Sequence, residues 1–266
     1  MYAIFLDGES KTGKTTVGSA IEADLAKDYH VLRTLSGSFF RRLTVAALDL
    51  RGGDYDSTDQ EWLEGAVAQV IDSRIAYDES KDWSAIHSKE VDDLVSVLGQ
   101  LQIAQDAAKE WWPLMGDAAL KQGVEVLIVD GRNPRAKSAK WRAEHDVPIA
   151  LDLCVYCDPD VAAKRYVYSQ GATDPTPAQL AEARAQIVQR RELDRNRAAA
   201  PYIEPADQVD FDSGVSDETE TVEESFAADV VDPPRVIRFD TTHSPLEITQ
   251  VTAGALARAA IRRLNK

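Results

Sequence analysis

Residues Gly8-Glu9-Ser10-Lys11-Thr12-Gly13-Lys14-Thr15 fit the pattern G-x-x-x-x-G-K-[ST] in full. No other stretch restricts the chain as much, because this pattern works only between a strand and a helix. Both neighbours are present. Tyr2 to Leu6 is short, apolar and suited to a buried strand, and the run from Lys14 to about Lys27 sets Val17, Ile21 and Leu25 on one helical face. Gly8 and Gly13 let the backbone curl close to an anion. The loop amides and the helix N-terminus then point at phosphate oxygens. The spacing predicts that Lys14 reaches the outer phosphates of a nucleoside triphosphate and that the Thr15 hydroxyl faces Mg²⁺. The expected donor contacts are Gly8, Ser10, Lys11, Thr12, Gly13, Lys14, Thr15 and Thr16. A glycine turn that binds nothing is the bland alternative, and the complete pattern in its full context weighs against it.

Predicted strands at Tyr29–Thr34, Val124–Val129, Ile149–Tyr156 and Val236–Phe239 alternate with helical stretches. The expected fold is α/β, with a mainly parallel five-stranded sheet flanked by helices. Residues 1–50 and 122–266 form the expected core, with an arginine-rich lid at about 170–200. Residues 51–121 read as an inserted, mainly helical lobe. Its second long helix, Ser88 to about Lys121, is expected to be interrupted at Pro113.

With 266 residues and 44% hydrophobic content, the chain can bury one substantial core. Its net charge of −15 argues against nucleic acid or an anionic membrane as partner. Ten acidic and no basic residues fall between Asp207 and Asp232. That segment, 207–232, is expected to be a solvated, mobile insertion. No early apolar run is long enough for a signal peptide or a membrane span, and the expected setting is cytoplasmic. Oligomeric state is open, with a monomer slightly favoured. Cys154 and Cys157 have redox-motif spacing but end a strand, which favours buried packing. The four histidines show no ligand spacing, and Trp111-Trp112 reads as core.

Further blocks carry a resemblance. Asp7-Gly8-Glu9-Ser10 with Gly13-Lys14, Ser36-Gly37-Ser38-Phe39-Phe40-Arg41, Val129-Asp130-Gly131-Arg132, and Arg190 with Asp194-Arg195-Asn196-Arg197-Ala198-Ala199-Ala200-Pro201 together resemble the cytidylate kinases, a bacterial type of nucleoside monophosphate kinase. The last block is the most specific. The resemblance implies ATP and Mg²⁺ as cofactors and a pyrimidine nucleoside monophosphate as acceptor. It implies that Arg41, Arg132 and Arg197 hold the acceptor phosphate, that Arg190 and Asp194 meet sugar and phosphates, and that Arg165 comes from the lid side to the donor. Ser36, Phe40 and Ser96 are further expected acceptor contacts.

Phosphoryl transfer needs charge neutralisation, in-line positioning and exclusion of water. Guanidinium groups grip phosphate oxygens in pairs, which suits Arg132, Arg190 and Arg197 to catalysis beside Lys14. Asp130, ending a buried strand near the loop, could organise Mg²⁺ through water or bind an arginine. Two departures bear on the base. Gln105 and Asn133 stand where the resembling family has a charged arginine–aspartate pair beside cytosine. Amides offer both donors and acceptors, so uracil, thymine or a modified pyrimidine could also be read. The competing functions are a kinase for an unusual or modified deoxynucleoside monophosphate and a non-catalytic nucleotide-binding regulator. Several arginines set for a second phosphate argue against the regulator.

Overall fold

The structure is a computed structural model, and it describes residues 1–9, 11–50, 59–78, 81–196, 208–212 and 236–265. Ser10, Arg197 and most of the acidic segment lie outside the described residues. The chain divides into two units: Leu35–Ala118 with Arg197–Pro201, and the remainder.

The larger unit is built on strands β1 (Tyr2–Asp7), β2 (Val31–Leu35), β3 (Val126–Asp130), β4 (Ile149–Tyr156), β5 (Gln208–Asp212) and β6 (Val236–Asp240), in the sheet order β2-β3-β1-β4-β6-β5. β1 pairs in parallel with β3 and β4, β4 with β6, and β6 with β5. The five expected strands are all present. β5 is an addition at the sheet edge, so residues 208–212 of the acidic segment join the sheet. Central strands buried on both faces read as unbroken apolar runs, which is why Ile4, Leu6, Ile128, Leu151 and Leu153 are all fully or almost fully buried.

Helix α1 (Lys14–Leu25) covers one face through Val17, Ile21 and Leu25. Those side chains share a core with Phe239 of β6 and with Leu256 and Ile261 of the last helix, α9 (Leu246–Leu264). Each fully buried side chain of this size contributes about 1.5–3 kcal/mol of apolar transfer. Helix α6 (Pro134–Glu144) was not expected from its polar sequence; Pro134 at its first turn is the one local start signal. Helices α7 (Pro159–Ser169) and α8 (Pro177–Asn196) pack on each other through Ala162, Ala163, Ala183 and Ile187.

The smaller unit is helical. It holds α2 (Ser36–Leu50), α3 (Gln60–Asp72), α4 (Lys89–Leu98) and most of α5 (Gln102–Lys121). It begins at Leu35 rather than at residue 51, so α2 belongs to it. Phe39 organises its core, stacked on Trp111 at 5.3 Å and tilted against Tyr77 at 5.2 Å. The expected break at Pro113 does not occur, because α5 runs through it. Burial of Ala108, Trp111 and Trp112 beside the proline outweighs the lost backbone bond. The long helical stretch divides instead at Gly99-Gln100-Leu101, between α4 and α5.

Candidate active site

The strand-to-helix passage from β1 to α1 has the geometry of an anion cradle. Gly8 has φ 129°, Lys11 φ 61° and Gly13 φ 94°, so the backbone repeatedly enters the left-handed region. At Gly8 the demand is absolute: a Cβ would lie 2.3 Å from the Val155 carbonyl oxygen of β4. Gly13 caps α1 with no side-chain bond to the first-turn amides, so those amides stay directed outward with the positive end of the helix dipole.

Asp7 braces the loop from below. Its carboxylate accepts from Gly8 N at 2.7 Å and from Asn133 N at 3.0 Å, which ties the β1 end to the start of α6. Burial pushes the Asp7 carboxyl up from its ordinary value, against those two bonds. Thr12 is buried, donates to Glu9 O at 3.1 Å, and offers its own carbonyl to Thr241 Oγ1 at 3.1 Å.

Lys14 Nζ donates to Gly8 O at 2.6 Å and Glu9 O at 2.7 Å. Burial, then the positive charge of Arg132, pushes it down to about 8; the carboxylates of Asp130, Asp7 and Asp194 oppose this. Arg132, just past β3, donates to the same Gly8 carbonyl at 2.9 Å, and its Nε reaches Asp194 Oδ2 of α8 at 3.0 Å. Arg190 lies 3.7 Å from the same Asp194 oxygen. Asp194 is therefore a shared anchor for two of the expected phosphate-binding arginines. Thr15 is exposed and Thr16 half-buried in the first turn of α1, and Lys11 Nζ lies 4.4 Å over the Tyr166 ring.

Arg165 is spread over the β6–α9 connection. It donates to Thr241 Oγ1 at 3.1 Å, Thr241 O at 2.5 Å and Cys157 Sγ at 3.4 Å. Both cysteines are buried and free, and burial pushes the Cys157 thiol up. Asp130 pairs with Arg33 of β2 at 3.2 Å.

The other expected residues lie in the helical unit. Ser36 opens α2 and is buried. Phe40 lies edge-on to Phe39 at 6.2 Å, and Arg41 Nη1 donates to Ile86 O at 2.6 Å. Ser96 sits on α4, where its carbonyl accepts from Gln100 Nε2 at 3.3 Å. Gln105 is buried, and its Nε2 donates to Gly99 O at 2.6 Å.

Sequence reasoning passed over Glu9, Arg191, Thr241 and Arg33. Glu9 carried a signal, since an acid inside an anion-binding loop demands compensation. Arg191 and Arg195 of α8 supply it, at 3.2 and 2.7 Å.

A family model described as Cytidylate kinase matches residues 4–228. The chain belongs to the cytidylate kinase family. It is a nucleoside monophosphate kinase, with the α/β fold of the P-loop kinases. The kinase is 30% identical over 210 residues to a cytidylate kinase from Rhodopseudomonas palustris (strain BisB5), across 79% of this chain and 87% of the relative. Its structure is also similar to that of a putative kinase from Chloroflexus aurantiacus, with 15% identity, a TM-score of 0.37, and 94% and 95% of the two chains covered. Among the described residues, no helix is long and apolar enough to cross a membrane.

Proposed function

We propose that this kinase transfers a phosphoryl group from ATP, with Mg²⁺, to a pyrimidine nucleoside monophosphate, giving the diphosphate. The observation that carries the reading is the loop itself: a backbone cradle that excludes a side chain at Gly8, an uncapped helix N-terminus, and a lysine poised beside both. A triphosphate fits such a cradle, because every element in it favours negative charge.

The donor oxygens fit Mg²⁺ as well. Among the described residues there is no cluster of three or more His, Cys, Asp or Glu that could hold a metal. Mg²⁺ does not need one, since it takes one or two protein oxygens and completes its shell from phosphates and water. Thr15 and Asp130 are the residues that would hold it, and there it would neutralise charge on the donor phosphates. Gly8, Lys11, Thr12, Gly13, Lys14 and Thr16 would bind the triphosphate through amides and the Lys14 ammonium, with Ser10 as a further contact. Arg165 would reach the donor from the α7 side.

Arg132 and Arg190 would bind and orient the phosphates, held ready by Asp194, with Arg197 completing the set. Ser36, Phe40, Arg41, Ser96 and Gln105 would receive the acceptor in the helical unit, with Asn133 as a further reader. Helix α8 and the turn before it would act as a lid that keeps water out. The base is not restricted to cytosine, because Gln105 and Asn133 are neutral.

A coupled assay of ADP release across nucleoside monophosphates tests the proposal. Mg²⁺-dependent turnover is expected with at least one pyrimidine monophosphate. Turnover confined to purine monophosphates, or none with any acceptor, would overturn it.

A further inference from the structure

Asp130 ends β3 with only 6% of its surface exposed, and its charge acts on Lys14. A carboxylate so placed has two competing uses. Turned towards Lys14, it would neutralise the ammonium that the donor phosphates need. Held away from Lys14, it leaves the ammonium to the phosphates and keeps its own oxygens for a cation. Something has to choose between these orientations, and Arg33 is built to do so.

Arg33 comes from β2, the strand beside β3, and its side chain is 8% exposed. Nη2 donates to Asp130 Oδ2 at 3.2 Å, while Nη1 donates to Ser19 Oγ at 2.7 Å and lies 3.8 Å from Glu22. The guanidinium therefore lies across α1, between Ser19 and Asp130. It fits there because position 18 has no side chain. A Cβ on Gly18 would be 2.6 Å from Arg33 Nε, 2.8 Å from Arg33 Cζ and 2.8 Å from Leu6 Cδ1. Glycine in a helix interior is disfavoured relative to alanine, so this helix gives up intrinsic stability at the point where the arginine crosses it. A buried ion pair is itself a weak source of stability. Both concessions make sense if the orientation of Asp130 matters to the reaction.

We propose that Arg33 is a positioning residue: lying in the groove left by Gly18, it fixes the orientation of the Asp130 carboxylate, so that this group would serve a bound Mg²⁺ rather than neutralise Lys14. This rests on the reading of Asp130 as a metal-side group. The planar guanidinium fixes the carboxylate's direction as well as its charge, which an ammonium would do poorly.

The test uses Arg33→Met, Gly18→Ala, the double variant and Arg33→Lys. The first removes the guanidinium, and the second displaces it without changing any charge. Two readouts are taken: Mn²⁺ binding in the presence of ADP, followed by electron paramagnetic resonance without turnover, and kcat and KM across a Mg²⁺ titration. Thermal unfolding checks that each variant is folded, and it separates out any strain at Leu6.

Arg33→Met and Gly18→Ala are each expected to weaken Mn²⁺ binding about tenfold and to raise the Mg²⁺ half-saturation to match. KM for the acceptor stays near the parent value, Arg33→Lys recovers only part of the loss, and the double variant is no worse than Arg33→Met alone. Parent-like Mn²⁺ binding in folded Arg33→Met would overturn the proposal. So would additive losses in the double variant, which would show that Gly18 acts elsewhere. A parent that binds Mn²⁺ with ADP yet phosphorylates no pyrimidine monophosphate would sink the proposed function instead, and the Mn²⁺ comparison would still decide the role of Arg33.

Discussion

The Glu9 carboxylate lies 3.2 Å from Arg191 Nε, and both side chains are buried. Glu9 belongs to the phosphate loop and Arg191 to the C-terminal part of α8, so this pair fastens the expected lid helix to that loop. Arg191 Nη2 also donates to Cys157 O at 3.1 Å, while Arg195 approaches the other Glu9 oxygen at 2.7 Å. An acid in an anion site is tolerable because two guanidinium groups overcompensate its charge.

Breaking such a pair from one side leaves a buried charge without its partner. Glu9→Gln is expected to lower the free energy of unfolding by about 3 kcal/mol. Adding Arg191→Met should recover at least half of that, since the stranded guanidinium goes too. Urea denaturation of the parent, both single variants and the double variant gives the coupling. Losses that simply add would mean the two residues do not act as a pair.

Lys14 is expected to set an alkaline limit on activity. Its proton is held only to about pH 8, against an ordinary lysine value of 10.5. If Lys14 binds the donor phosphates as proposed, kcat/KM for the donor should fall as pH rises through about 8. Bound phosphate strengthens the proton's hold, which moves the same limb in kcat to higher pH. Stability responds with the opposite sign. Between about 8 and 10.5 the unfolded chain carries a proton on this lysine that the folded protein has lost, so stability from this group rises with pH across that window. Lys14→Met should abolish that rise, and Lys14→Ala should cut transfer by about a thousandfold or more while the protein stays folded. A Lys14→Ala enzyme with parental turnover would refute the donor-site assignment.

The loop, its strand and its helix were legible because the glycine spacing and the apolar period act within a few residues. Most of the main strands were legible for the same reason, as short apolar runs; β2 is the exception, with Arg33 and Thr34 inside it. What was not legible depends on partners distant in sequence. Pro113 looks like a breaker until Trp111, Phe39 and Tyr77 are seen packed in one core. Helix α6 has a strongly polar sequence, and only Trp141, Ser138 and Pro134 are buried against the sheet side. β5 is an acidic stretch that becomes a strand because the β6 edge is there to pair with it. In the site, Arg33 and Arg191 each face a partner 97 or 182 positions away, a relation that no local pattern encodes.

Asp152 makes the protein sensitive to mild acid in an uncommon direction. It is buried in β4, and burial pushes its carboxyl up to about 6 even though Arg135 lies 3.0 Å away. From roughly pH 4 to 6 the folded protein holds a proton here that the unfolded chain has released, so this group's contribution to stability falls as pH rises through that range. Asp152→Asn removes the buried charge. The variant is expected to be more stable than the parent at pH 7 by on the order of 2 kcal/mol and to match it near pH 4. Denaturation midpoints for both proteins across pH 4 to 7 are the check. A variant less stable than the parent at pH 7 would show that the pair with Arg135 outweighs the desolvation of the carboxylate.

Gln105 is the residue whose change is expected to alter the choice of base. It is 1% exposed, its amide nitrogen is committed to Gly99 O, and its Oε1 has no hydrogen-bond partner among the described residues. An unsatisfied buried acceptor is costly, so a ligand that donates to it is favoured. The N3–H of uracil or thymine is such a donor, and so is the amino group of cytosine. Cytosine's N3 and O2, which are acceptors, gain nothing from it. The kinase should therefore phosphorylate UMP, dUMP or dTMP in addition to CMP and dCMP. Gln105→Arg replaces the acceptor with donors only, so it should move the ranking towards the cytosine nucleotides by about tenfold, within the range that one unpaired buried polar group costs. The measurement is kcat/KM for CMP, dCMP, UMP, dUMP and dTMP in the parent and the variant. A parent that strongly prefers CMP and dCMP, together with an unchanged ranking in Gln105→Arg, would mean that other side chains read the base.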